Sequence, residues 1–116
     1  MARGDVLLVT LPVPSSGAGH EQMGNRPAIV VQNDASDPRL PTIMIIPFTS
    51  SLGALRYPHT FRVDPSQQNG LDRPSVLLVF QLRAIDKMRI TGHIGRLEQH
   101  YLQQMEAELR NLLNIL

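Results

Sequence analysis

Short apolar runs alternate with polar, turn-rich stretches along most of the chain, and the pattern changes near its end. Asp5–Leu11, rich in Val, Leu and Thr, predicts a strand. Pro12 to Gly24 concentrates Pro, Ser and Gly and predicts a long loop. The apolar run Ala28–Gln32 predicts a buried strand, and Asn33–Pro41, which carries Asn, Asp, Ser and two prolines, predicts the turn after it. Thr42–Phe48 predicts the next strand, followed by a polar, Gly-containing loop at Thr49–Ala54. His59–Asp64 alternates in the manner of a half-exposed strand. After a loop at Pro65–Pro74, Ser75–Leu82 reads as one buried strand and Ile90–Leu97 as a last short one.

The end differs in kind. Leu102, Met105, Leu109, Leu112 and Leu116 recur at spacings of 3, 4, 3 and 4, and Leu113 widens the stripe. That is one face of an α-helix of about four turns, expected to pack on the domain's own core. Five or six short strands followed by one helix predict a mainly β fold: a small barrel-like sheet with a C-terminal helix laid on it.

A chain of 116 residues fits a single domain over 1–116, with one real core. Apolar residues at 42% and charged residues at 18% place it among globular rather than disordered chains. With no cysteine, a disulfide framework and a thiolate metal site are both excluded, which fits a cytoplasmic protein. Met1-Ala2-Arg3-Gly4-Asp5 opens no apolar stretch, so no signal peptide is expected. The longest apolar runs, Val76–Phe80 and Ile43–Ile46, are far too short to span a bilayer, so no membrane association is expected. A net charge of +1 is a weak argument for a polyanion partner. Its distribution says more: ten of eleven basic residues are arginine, and the stretch from Arg56 to Arg96 carries a net +4. Arginine's planar fork suits phosphate, although composition alone favours a merely solvated surface.

The candidate chemistry begins with exclusions. His20, His59, His93 and His100 include no pair spaced by three or four, and no ligand pattern with Asp or Glu forms around them. Neither a metal site nor a cofactor is expected. Gly17-Ala18-Gly19 precedes no Lys-Ser/Thr pair, so it is not a phosphate-binding loop of the P-loop kind, and no G-x-S-x-G elbow exists. The most informative segment is Gly19-His20-Glu21-Gln22-Met23-Gly24-Asn25-Arg26-Pro27-Ala28-Ile29-Val30-Val31-Gln32-Asn33-Asp34. A polar glycine loop ends in Arg26, and a buried strand starts at once, opened by Pro27, which lacks an N–H and suits a strand's first residue or an edge. This would hold Arg26 at the lip of a rigid sheet, as a catalytic arginine requires; an arginine ending a loop in solvent is the alternative. In Ile46-Pro47-Phe48-Thr49-Ser50-Ser51 a strand again delivers small hydroxyls to a loop, which ordinary turn chemistry explains better on the residues alone.

The order R-G-D-V, then G-H-E-Q-x-G-N-R-P-A-I-V-V-Q-N-D, then P-F-T-S, then Q-L-R-A-I-D-K-x-R resembles the MazF/PemK family of RNA-cleaving toxins over nearly the whole chain. The resemblance implies a small SH3-like barrel with a terminal helix and a homodimer that cuts single-stranded RNA without metal. It also implies a cognate antitoxin that covers the RNA groove. Attack by the neighbouring 2′-hydroxyl needs a base for that hydroxyl, charge stabilisation at phosphorus and an acid for the leaving oxygen. By the resemblance, Arg26 is the essential arginine at the scissile phosphate. A proton-shuttling role is strained, because a guanidinium gives up its proton only with difficulty. Thr49 is the active-site threonine, binding a phosphate oxygen or orienting the 2′-hydroxyl, with Ser50 assisting. Glu21 stands where a general base belongs, with structural support of its loop an equal alternative. His20 is a second acid–base candidate. Gln22 and Ser51 belong to the two loops expected to set specificity, and Gln81 and Arg83 are expected to flank the groove.

One position departs from the pattern. Many relatives carry an acid before the glutamine of Q-x-R-x-I-D, where this chain has Phe80. Closing the run Val76–Phe80, it is expected in the core, with a base-stacking surface as the alternative. Two other functions stay in view. A gyrase-poisoning toxin of the CcdB type shares the fold, but its activity resides in a Trp-Gly-Ile ending, whereas this sequence has no tryptophan and ends Asn114-Ile115-Leu116. A non-catalytic binding module of the same fold would accommodate Phe80, but not the retention of both Arg26 and Thr49.

Overall fold

A computed structural model describes residues 1–11 and 24–116. The first strand, β1 (Asp5–Leu11), matches its predicted bounds. The next, β2 (Gly24–Val30), starts earlier than its apolar run suggests, because Gly24, Asn25 and Arg26 pair with Leu11, Thr10 and Val9 of β1. β3 (Thr42–Thr49) is the longest strand among the described residues and collects partners along both edges. β4 (Thr60–Val63) and β5 (Ser75–Leu78) form an antiparallel pair, and β5 continues onto the end of β3 through Phe48↔Leu77 and Thr49↔Val76.

Ser75–Leu82 is not one strand. The segment breaks at Leu78 into a 3-10 turn, Val79–Gln81, and resumes as β6 (Arg83–Asp86), which the sequence reading missed. The register gives the reason. Leu77 faces Phe48 and Arg83 faces Ile45, so six residues on one side span three on the other. The surplus is looped out, which lifts Phe80 out of the continuous core run. Phe80 is half-buried, its ring tilted against Tyr57 at 5.5 Å between centroids, and is not the core residue expected. The last strand, β7 (Ile90–Arg96), pairs with β1 and carries two irregularities, at Thr91 and at Ile94.

The described strands run β4-β5-β3-β2-β1-β7, with β6 beside β3. The sheet curls so that its two ends approach: Arg96 of β7 donates its backbone N–H to the carbonyl of Gln68, ahead of β5, at 2.9 Å. One face buries Leu7, Val9, Leu11, Ala28, Val30, Ile43, Ile45 and Ile85. The other buries Val6, Ile29, Ile46, Phe48, Leu77 and Val79 under the C-terminal helix α1 (Gln99–Leu113), through Leu102 and Met105. The helical stripe therefore packs on the domain's own core as expected, but only its first half is fully buried. Asn114 takes a left-handed conformation and ends the helix, so Leu116 lies beyond it in solvent rather than on the stripe. Among the described residues no helix is long and apolar enough to cross a membrane.

Candidate active site

The site grows from a parting of strands. The ladder between β2 and β3 ends at Ala28↔Pro47. Beyond that pair β2 continues along β1 to Gly24, while β3 continues along β5 to Thr49. Pro27, with no N–H to give, sits one residue past the ladder's end, where the loss is harmless. Counting on by two residues, Arg26 stands at the position facing Thr49. A cleft of about 400 Å³ opens in the gap, within the usual range for ligand pockets. Asn25, Arg26 and Pro27 line one side of it, and Phe48, Thr49 and Ser50 the other. Leu8 and the bulged Ile94 contribute apolar surface, and Gly70, Leu71, Asp72, Arg73 and Ser75 close the remaining wall.

Thr49 is buried, 7% exposed, at the end of its strand. Its hydroxyl oxygen accepts a hydrogen bond from the Ser51 backbone N–H at 3.2 Å. This is the local turn chemistry that the sequence allowed, and it leaves the hydroxyl hydrogen to be donated outward. The same bond fixes the path of the Thr49–Ser51 loop. Arg26 is half-buried on β2, where it pairs with Val9 of β1, so its guanidinium starts from rigid backbone.

Of the residues proposed from sequence, the structure brings Arg26, Thr49 and Ser50 together. Ser51 is exposed just outside the lining and precedes the 3-10 turn Leu52–Arg56. Gln81 lies on the looped-out turn and Arg83 at the start of β6 opposite Ile45, and neither lines this cleft. His20, Glu21 and Gln22 lie outside the described residues. Among the described residues no group of three His, Cys, Asp or Glu could hold a metal ion.

The wall that includes Asp72 and Arg73 was read from sequence only as a loop. One buried residue, Asn69, organises it. The Asn69 Oδ1 accepts from the backbone N–H groups of Ser66 and Leu71 at 3.1 and 3.0 Å. Its Nδ2 donates to the Asp64 carbonyl at 3.0 Å and to Glu98 Oε1 at 3.1 Å. Glu98, at the N-cap of α1, thus serves the loop and makes no side-chain cap bond to the helix. Gly70 adopts φ +74° against β7, where an added Cβ would fall 1.9 Å from the Ile94 carbonyl oxygen. An Asn-Gly pair between two prolines was the available signal; that the Asn is buried, and what it touches, is tertiary and absent from local pattern.

Comparison with known proteins bears on the family and the fold. A family model described as PemK-like, MazF-like toxin of type II toxin–antitoxin system matches residues 2–113. Endoribonuclease EndoA of Bacillus subtilis is 33% identical over 108 residues, 93% of this chain and 90% of that protein. Endoribonuclease MazF of Staphylococcus saprophyticus is 31% identical over 105 residues, 90% of this chain and 84% of that protein. The crystal structure of MazF from Deinococcus radiodurans superposes with a TM-score of 0.77 at 24% identity, covering 99% of this chain and 97% of that one. A MazE–MazF structure from the same organism gives a TM-score of 0.73 at 25% identity, covering 100% and 97%. On this evidence the chain belongs to the PemK-like, MazF-like toxins of type II toxin–antitoxin systems.

Proposed function

We propose that this chain is a sequence-specific endoribonuclease toxin that cuts single-stranded mRNA by attack of a 2′-hydroxyl on the adjacent phosphorus, without metal. The observation that carries the reading is that Arg26 and Thr49 line one cleft where two strands part. In the reaction the 2′-oxygen bonds to phosphorus, the 5′-oxygen leaves, and a 2′,3′-cyclic phosphate remains. Negative charge grows on the non-bridging oxygens in between. The Arg26 guanidinium is suited to stabilise that charge with a fork of donors on a fixed strand. Thr49 is suited to donate its hydroxyl hydrogen to the same phosphate, since its oxygen is engaged by the Ser51 N–H. Ser50, beside it at the mouth, can contact the ribose or the next phosphate.

Glu21 remains the preferred general base, with His20 and Gln22 in the same loop, Ser51, Gln81 and Arg83 as outer RNA contacts, and Asp72 the carboxylate that lines the described cleft. The relatives named endoribonucleases, similar over nearly their whole length, favour this reading over a gyrase-poisoning toxin. A homodimer neutralised in the cytoplasm by a cognate antitoxin completes the proposal; the MazE–MazF structure with the same fold supports the antitoxin partner. The test is Arg26→Ala. Cleavage should fall by about 10²–10³-fold or more with the thermal midpoint unchanged. Full activity in the folded variant would overturn the assignment.

A further inference from the structure

Among the described residues, the charged groups lining the cleft are Arg26, Arg73 and Asp72. The cleft therefore carries one more cation than anion, and its second arginine has no part in the reaction as outlined. Arg73 is not carried there by a loose loop. Asn69 and Gly70 anchor the chain on one side of it. On the other, Pro74 follows, and the buried Ser75 donates its hydroxyl to the Arg73 carbonyl at 3.0 Å. The backbone is held while the side chain stays 64% exposed. Its ion-pair partner is the neighbouring Asp72, through one Nε–Oδ1 contact of 3.4 Å, and that carboxylate is itself 81% exposed. So open a pair is weak and readily exchanged.

We infer that Arg73 is a second phosphate-binding residue: it leaves Asp72 to take the backbone phosphate next to the one held by Arg26. The inference rests on the cleft being where RNA is cut. A guanidinium fork matches a phosphate in two hydrogen bonds, whereas Asp72 offers it a single ion-pair contact at 3.4 Å. A contact one phosphate away from the reacting centre changes little between bound RNA and transition state. It therefore positions the strand, reads no base, and acts on KM more than on kcat. Asp72 competes for Arg73 and repels the strand, so it sets how tightly the cleft holds RNA.

The test uses the full chain and its Arg73→Ala, Arg73→Lys and Asp72→Asn variants. Cleavage of a single-stranded RNA is followed across a salt series. In parallel, binding is measured to a single-stranded oligonucleotide carrying 2′-O-methyl riboses throughout, which lacks the attacking hydroxyl. Arg73→Ala should raise KM and the oligonucleotide Kd about 5–10-fold and flatten the logarithmic salt dependence by about 0.7, the share of one phosphate contact on a single strand. Arg73→Lys should recover the salt slope but only part of the affinity, and Asp72→Asn should lower KM. Unchanged KM, Kd and slope in Arg73→Ala would overturn the inference. So would loss of cleavage in Asp72→Asn together with the acidic limb of the pH–rate profile, which would make the carboxylate the working group. If the wild-type chain cuts no RNA, the nuclease reading fails, and the oligonucleotide binding still decides Arg73: a Kd and salt slope that survive the substitution reject it.

Discussion

At the scale of single residues, the site depends on where strands stop pairing. Arg26 and Thr49 are 23 positions apart in the sequence and line one cleft because the β2–β3 ladder ends just short of them. Thr49→Val keeps the volume but removes the donor, and kcat should fall by about 10²-fold, while Thr49→Ser should keep most of the activity. Single-turnover rates would check both. Asp5 offers a test of stability away from the cleft. Its partial burial alone would raise the carboxyl, but the Ala2 N–H, Arg96 and His93 together hold it below the usual carboxylate range. A depressed carboxylate stabilises the fold above its unfolded value, near pH 4, and that contribution is lost as pH falls through the folded value. Asp5→Ala should therefore unfold about 1–3 kcal/mol more easily at pH 7. Urea titrations should show the gap closing below about pH 4.

At the scale of elements, the parts set by local pattern were legible and the parts set by register were not. β1, β3, β4 and the start of α1 follow from apolar alternation or helical spacing. The break at Val79–Gln81 leaves no such trace, because Val76–Phe80 is as apolar as an unbroken strand. Only the partner strand reveals that three residues are surplus there. Arg26 could be proposed from its place before a buried strand, but Thr49 and Ser50 only from the family resemblance, since local pattern favoured ordinary turn chemistry for them. Arg73 could not, since its place depends on a buried Asn69 four residues earlier. Asn69→Ala removes donors and acceptors at a fully buried position. It should cost about 2–3 kcal/mol or more and raise hydrogen exchange through residues 64–74 before the rest of the chain, an effect that amide exchange can localise.

At the scale of the molecule, the curled sheet has both faces occupied: one by its own apolar core, the other by α1. The helix stops at Leu113, short of its sequence stripe, and the cleft stays open. The fold thus separates what is held rigid from the open cleft where the proposed reaction would take place. A partner that neutralises the toxin by covering the cleft should compete with RNA and leave the thermal midpoint no lower. The most direct test of the account is to incubate the purified chain with a long, weakly structured RNA in EDTA and map every new end. The account predicts recurrent cuts at one short motif, each leaving a 2′,3′-cyclic phosphate and a 5′-hydroxyl, and none with Arg26→Ala. No cuts by the folded wild-type chain, or the same cuts by Arg26→Ala, would contradict it.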